Sequence, residues 1–290
     1  MRLLDARLLK EDKALSKAKI VRVSKKDVEP TLRYIALASN IPFEDLHPVG
    51  TAGKADTSGD IDVAVDQNKH TPFKIHDRLV NHLGKEYGIF DNDTQTGSYA
   101  VPIRGTDGDR VQVDLMFTDN IEWSRFAYFS AGDKSEYKGS VRAVLLASVA
   151  AALDEKGVDA FHYDGEDLIV KVGRGIELGT GMKRFFQMRP HNKYTDGYTK
   201  GLKKVTPEEI KKMYPKLEFD GTDLIISDPS EVVKILFGPE TRPSNVDSVE
   251  EIIDLIQRFP SKKAKKILDI AKIRARPLAS KGIKLPPELT

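Results

Sequence analysis

Asp60-Ile61-Asp62-Val63-Ala64-Val65 is the stretch whose reading decides the fold. Side chains alternate across a β-strand with a period of two, so Asp60 and Asp62 fall on one face while Ile61, Val63 and Val65 fall on the other. One strand therefore offers an apolar face to a core and an acidic face to something else. Further along, Val111, Val113, Leu115 and Phe117 repeat the alternation and leave Asp114 on the opposite face of a second strand. The pattern lets three carboxylates converge.

Such a cluster is electrostatically unfavourable without a cation, because like charges a few ångströms apart resist joint ionisation. Mg²⁺ prefers hard oxygen ligands, retained waters and substrate phosphates. Two such ions about 3.5–4 Å apart clamp the attacking and leaving oxygens of an in-line phosphoryl displacement. Asp60, Asp62 and Asp114 are thus candidate catalytic residues and ligands for two Mg²⁺ or Mn²⁺ ions. An Asp-hydrophobe-Asp pair alone also occurs on solvent-facing edges of ordinary strands. The order Gly-Thr, linker, Gly-Asp-Ile-Asp-Val and then a third Asp inside an apolar strand is what points to catalysis.

Working outward, Pro48 to Gly59 is rich in small residues and reads as a turn-rich loop feeding the strand. Gly50, Gly53 and Gly59 let backbone N–H groups approach phosphate, Thr51, Thr57 and Ser58 add hydroxyls, and Lys54 adds a cation. We assign this loop to a triphosphate. The spacing of Leu32, Ile35 and Ala36 predicts a helix over about 27–39, ended by Asn40 and Pro42, and a weaker helix or arm precedes it. Thr71-Pro72 opens a second helix carrying Ile75, Leu79 and Leu83 on one face and closed by Gly84. Residues 98–104 and 110–117, joined by Gly-Thr-Asp-Gly-Asp, read as an antiparallel hairpin. Ala- and Leu-rich 140–153 reads as a helix. Beyond it come short strand-like pieces at 167–172 and 224–227, separated by the Gly-rich stretch 173–181, then helices near 230–237, 248–259 and 261–276. The expected organisation is an N-terminal helical segment (1–46), a catalytic domain (47–157) and a mainly helical C-terminal domain (158–290).

The 290 residues are 40% hydrophobic and 31% charged, a composition suited to a globular protein. Forty-six basic and 44 acidic residues give a net charge of +2, so attraction to nucleic acid must come from local clusters. With no cysteine, thiol catalysis, disulfides and thiolate zinc sites are excluded. No signal-peptide core or run of roughly 20 apolar residues is present, and we expect a cytoplasmic protein.

The motif set resembles the DNA polymerase β-type nucleotidyltransferase superfamily: Val49-Gly50-Thr51, then Asp60-Ile61-Asp62-Val63, then Asp114. Thr51 stands where that superfamily has Ser, and the linker is slightly short. Thr57-Ser58-Gly59-Asp60-Ile61-Asp62-Val63 is most similar to the Ser-Ser-Gly-Asp-Met-Asp-Val of family-X DNA polymerases. Tyr128-Phe129-Ser130-Ala131-Gly132 is similar to their Tyr-Phe-Thr-Gly-Ser turn, with Arg142 following at the start of a helix. The likeness covers roughly residues 47–150, and no helix-hairpin-helix pattern is found upstream. It implies an α+β palm, a mixed sheet flanked by helices, and an NTP or dNTP donor. Gly50, Thr51, Lys54 and Ser58 would hold its phosphates, Tyr128 and Phe129 would lie by its sugar and base, and Arg142 would be a further nucleotide-binding residue.

Two basic clusters bear on the acceptor. Lys262, Lys263, Lys265, Lys266, Lys272, Arg274 and Arg276 face only Asp269, while Ile267, Leu268, Ala271 and Ile273 supply an apolar side. This is a docked helix with a cationic outer face, fit for phosphate contact or simply solvated. Residues 183–189 interleave basic and aromatic side chains, as single-strand binding, a buried strand or a helix edge would. His70, His76, His82, His162 and His191 show no metal-ligand spacing. The expected acceptor is a nucleic-acid 3′-hydroxyl, RNA or DNA. A protein, a small molecule or a second nucleotide is the alternative, and a noncatalytic nucleotide-binding protein is a third reading that the intact Asp set disfavours.

Overall fold

A computed structural model describes Leu15 and residues 18–153, 161–162, 168–179, 181–192, 203–204, 206, 208–209, 212 and 224–290. The expected arm before residue 15 lies outside them. Strand β1 (Val23–Ser24) leads straight into helix α1 (Lys25–Ser39), two residues ahead of the helix start read from the sequence. Asn40 stops α1 in a left-handed conformation, returning its N–H to the carbonyls of Ala36 and Leu37. There follow β2 (His47–Pro48), β3 (Thr57–Ser58), β4 (Asp60–Asp66) and α2 (Pro72–Leu83). The chain continues through β5 (Gly88–Asp91), β6 (Thr96–Pro102) and β7 (Arg110–Thr118).

Five of these strands form a mixed sheet in the order β2-β4-β7-β6-β5. β6 and β7 pair antiparallel, as the turn between them predicts. β4 and β7 are parallel neighbours with Asp62 opposite Asp114 and Asp60 opposite Gln112. Ile61, Val63, Val65, Val111, Val113 and Leu115 are all fully buried beneath the sheet, with Leu32 and Ile35 of α1 and Ile75 and Leu79 of α2. Fully burying each such side chain is worth roughly 1.5–3 kcal/mol. A slip of one residue would exchange these faces and drive the carboxylates into the core, so the hydrophobic pattern pins the register. On the other face, Ala64 and Met116 pack with Val49 and Ile121 at the far end of the strands.

Helix α3 (Ile121–Ala127) starts at Asn120, whose side chain accepts from the Trp123 N–H at 2.9 Å. Helix α4 (Gly139–Ala152) follows. Its buried face, Val141, Leu145 and Val149, packs into a second apolar cluster with residues from beyond 176.

The C-terminal part contains more strand than the sequence reading allows. β8 (Phe161–His162), β9 (Leu168–Leu178), β10 (Met182–Asn192), β11 (Lys203–Lys204) and β12 (Leu224–Ile226) form a second five-stranded sheet. β9 and β10, eleven residues each, pair along their whole length, so the Gly-rich stretch is not a break between strands: Gly173 and Gly175 lie within β9, in register with Gln187 and Phe185. Glycine weakens a strand locally, which is why the sequence reads as interrupted, but continuous pairing overrides that preference. The described C-terminal residues thus carry a sheet beside the expected helices. Helices α5 (Pro229–Phe237), α6 (Val249–Gln257) and α7 (Ser261–Ser280) complete the chain. The whole is α+β, and among the described residues no helix is long and apolar enough to cross a membrane.

Candidate metal and phosphate site

The parallel pairing of β4 and β7 decides the geometry. Side chains at matching positions of two neighbouring strands point the same way, and strands lie about 4.8 Å apart. One carboxylate oxygen from each of Asp60, Asp62 and Asp114 accordingly lies within 4.8 Å of the other two. Asp60 and Asp62 are half-buried, whereas Asp114 is only 1% exposed. Three oxygen donors of this hardness fit a Mg²⁺ or Mn²⁺ ion.

A residue not singled out from the sequence holds Asp114. The Gln112 amide, two positions earlier on the same strand face, donates to both carboxylate oxygens at 3.2 and 3.1 Å. The same period of two that separates the acidic from the apolar face could have identified it.

The loop before β4 folds against the carboxylates. Gly50 has φ +67°, and a Cβ there would sit 3.0 Å from Asp62 Oδ2. Both the left-handed backbone and the closeness require glycine. Thr51 Oγ1 and the buried Ser58 hydroxyl are 2.9 Å apart, which fixes the two ends of the loop to each other. Arg22, just before β1, reaches this loop too: its Nε and Nη2 donate to Thr57 Oγ1 and Thr57 O at 3.1 and 3.0 Å. It adds a second cation beside the loop. Sequence reasoning missed it because nothing local ties residue 22 to residue 57; only the β1–β3 pairing does.

The Tyr-Phe turn packs on the same loop. Gly50 N donates to Tyr128 O at 3.0 Å, and Gly50 bridges Phe129. Lys54 Nζ donates to Ser130 O at 3.1 Å and sits 4.3 Å from the centre of the Phe129 ring. Desolvation there pushes the Lys54 ammonium pKa down, countered by the charge of Asp247. Tyr128 is 38% exposed. Gly50, Thr51, Lys54, Ser58, Tyr128 and Phe129 are therefore gathered around one corner of the sheet.

Arg142 has different surroundings. It is 1% exposed, with Nε donating to Val246 O at 2.6 Å and Nη1 to Phe126 O at 2.8 Å. Its guanidinium lies 4.9 Å from the Phe126 ring centre and 5.5 Å from that of Phe129. Burial pushes its pKa down to about 10, leaving it charged at neutral pH. The residue expected to bind nucleotide is an internal tie between α3 and the segment before α6, with its guanidinium also near the Phe129 ring. Nη2 is buried without a hydrogen-bond partner among the described residues.

The other sequence candidates lie elsewhere. His70, His76 and His82 pair with Asp45, Tyr99 and Tyr34 at 2.9, 3.2 and 3.0 Å. The side chains of His162 and His191 lie outside the described residues. Residues 183–189 run within β10, and their side chains from 184 onward are likewise outside the described ones. No family model matches this sequence, and no curated protein does.

Proposed function

We propose that the protein is a metal-dependent nucleotidyltransferase of the polymerase β type, with the palm-like sheet as its catalytic platform. It would transfer a nucleoside monophosphate from an NTP or dNTP to an acceptor hydroxyl. The observation that carries this reading is the convergence of Asp60, Asp62 and Asp114 within 4.8 Å on one sheet face, directly beside a glycine-bearing loop. In the reaction, the acceptor oxygen bonds to the α-phosphorus as the bond from that phosphorus to the bridging oxygen breaks. Pyrophosphate leaves with the electron pair, and the hydroxyl proton passes to solvent or to a carboxylate. Two divalent ions held by the three Asp would supply charge neutralisation of the phosphates and acidification of the hydroxyl. The chain's own residues do the rest. Asp60 and Asp62 would hold both ions, Asp114, bonded by Gln112, would complete the metal site and help to activate the attacking hydroxyl, and Gly50, Thr51, Ser58, Lys54 and Arg22 would surround the phosphates. Tyr128 and Phe129 form the wall for sugar and base. The favoured acceptor is a nucleic-acid 3′-hydroxyl.

The test is incubation of purified protein with α-labelled NTPs or dNTPs, Mg²⁺ or Mn²⁺, and separate RNA, DNA and protein acceptors. Label transfer with pyrophosphate release is expected. Asp62→Asn and Asp114→Asn should each lower turnover by orders of magnitude while leaving the unfolding transition cooperative. Absence of transfer under every condition, or near-normal turnover in either variant, would refute the assignment.

A further inference from the structure

The five outward cations of α7 lie on one strip. Lys262, Lys265, Lys266, Lys272 and Arg276 are all exposed, and at 3.6 residues per turn they fall within about 120° of the helix circumference. Ile267, Ala271, Ala275 and Leu278 occupy the opposite, buried side. At 1.5 Å per residue the strip is about 21 Å long. Asp269 is its single acid, and Ile273, 60% exposed, lies among the cations as an apolar foot.

The structure also separates these cations from two neighbours with internal duties. Arg274 donates to the carbonyl of Ala147, and Lys263 lies 4.4 Å from the centre of the Phe259 ring. Lys266 and Lys272 each place one donor on a carbonyl, of Ala152 at 3.2 Å and Thr290 at 3.0 Å. An ammonium has three donors, so both keep capacity for a ligand while their stems are anchored.

The axis of α7 leads toward the site. Lys266 meets Ala152 while Arg274 meets Ala147, so α7 runs antiparallel to α4 and its C-terminal end points toward the Gly139 end of α4. Just beyond α7, Lys284 pairs with Glu136. At Gly139 an added Cβ would come 2.8 Å from Phe129 O, and Phe129 bridges Gly50 beside Asp62.

We propose that this outer face of α7 binds the sugar-phosphate backbone of a nucleic-acid strand and leads its 3′ end toward the carboxylates, a role that rests on the transferase reading for its final step. Charge complementarity selects the occupant. A strand of duplex presents one phosphate per 3.4 Å of rise, so a strip of about 21 Å runs beside roughly six of them. An uncharged or apolar partner would leave five cations facing it.

The experiment uses the full chain with short fluorescent RNA and DNA oligonucleotides, measuring anisotropy across a salt series. Lys262→Ala, Lys265→Ala, Lys272→Ala and Arg276→Ala combined remove four phosphate contacts. At about 0.7–0.9 per contact, the slope of log affinity against log salt should become shallower by about 3. Affinity at low salt should fall at least about tenfold, with the circular dichroism spectrum unchanged. An unchanged slope, or no oligonucleotide binding by the wild-type chain, overturns the proposal. So does polyglutamate or an anionic vesicle binding through the same residues more tightly than either oligonucleotide. Asp62→Asn separates the two ideas: it should bind oligonucleotides with the wild-type slope while its turnover falls by orders of magnitude. Binding through the strip by a wild-type chain that transfers no label upholds the surface and refutes only the transferase.

Discussion

Replacing Arg142 by Met asks whether that side chain serves the nucleotide or the fold. The substitution keeps much of the volume and removes the charge and both hydrogen bonds. The Val246 carbonyl then loses its charged donor at 2.6 Å, while the Phe126 carbonyl retains a bond from the Phe129 N–H at 3.3 Å. Hydrogen bonds from charged groups contribute about 1.5–3 kcal/mol each, and a buried acceptor left without a donor costs about 1–3 kcal/mol. Loss of the guanidinium from between the Phe126 and Phe129 rings removes about 0.5–2 kcal/mol more. Against this, the guanidinium's own desolvation and its unbonded Nη2 disappear. The balance is a loss of about 2–4 kcal/mol, which for a chain of this size lowers the melting temperature by about 2–4 °C per kcal/mol. Urea titration and thermal melts measure it, and steady-state kinetics on the same preparation give KM for the nucleotide. Wild-type stability to within about 0.5 kcal/mol, together with a KM raised tenfold, would refute the structural role and restore Arg142 to the nucleotide.

Three further outcomes follow from the site and its support. Gly50→Ala forces a left-handed residue to carry a Cβ at 3.0 Å from Asp62 Oδ2, whereas Gly53→Ala shares the positive φ but meets only Val28 Cγ1 at 3.9 Å. Both should lose about 1–2 kcal/mol, but only Gly50→Ala should weaken Mn²⁺ binding in calorimetry; equal metal affinities would show that Gly50 does not set Asp62. Removing divalent ions with a chelator should abolish transfer in the wild type, and added Mg²⁺ should restore it there but should not raise Asp114→Asn to wild-type turnover; transfer that survives chelation would refute the metal requirement. The His76 pKa is held below its ordinary 6.5 by desolvation. The unfolded imidazole therefore takes its proton first as pH drops, and stability should fall as pH is lowered from that value toward the folded-state pKa. His76→Gln should flatten this part of the stability profile, and an unaltered profile would remove His76 as its source.

The legible and illegible parts of the molecule divide along a physical line. Features encoded by short-range periodicity emerge from the sequence: the two faces of β4 and β7, the β6–β7 hairpin, the Ile75/Leu79/Leu83 stripe of α2 and the Ala-rich α4. Features created by pairing between distant segments do not. Arg22 joins the loop before β4 only because Val23 pairs with Ser58. The roles of Lys263 and Arg274 depend on what lies under α7, which a helical wheel cannot tell. Arg142 is the sharpest instance, because an Arg at the start of a helix reads the same whether it faces a base or two backbone carbonyls. The long β9–β10 hairpin shows the reverse effect, since pairing over eleven residues on each side outweighs the glycines that make its sequence look broken.

The carboxylate site joins both categories, and this explains why it could be anticipated in residues but not in arrangement. Periodicity puts Asp60 and Asp62 on one face and Asp114 on one face, without saying that the faces coincide. Coincidence requires β4 and β7 to be adjacent, parallel and in register, and parallel strands need a long crossover rather than a tight turn. Here the crossover is α2 with β5 and β6, and the buried Ile75 and Leu79 hold α2 against the apolar side of the sheet. The same hydrophobic contacts that stabilise the sheet therefore force three like charges to within 4.8 Å on its other side. Like charges so close repel one another unless a cation or a donor such as Gln112 offsets them. If that account holds, Mg²⁺ should raise the melting temperature of the wild type and have little effect on Asp62→Asn, while the metal-free variant should be the more stable of the two metal-free proteins. A metal-free Asp62→Asn that melts below the metal-free wild type would mean the carboxylates are satisfied within the fold and are not waiting for an ion.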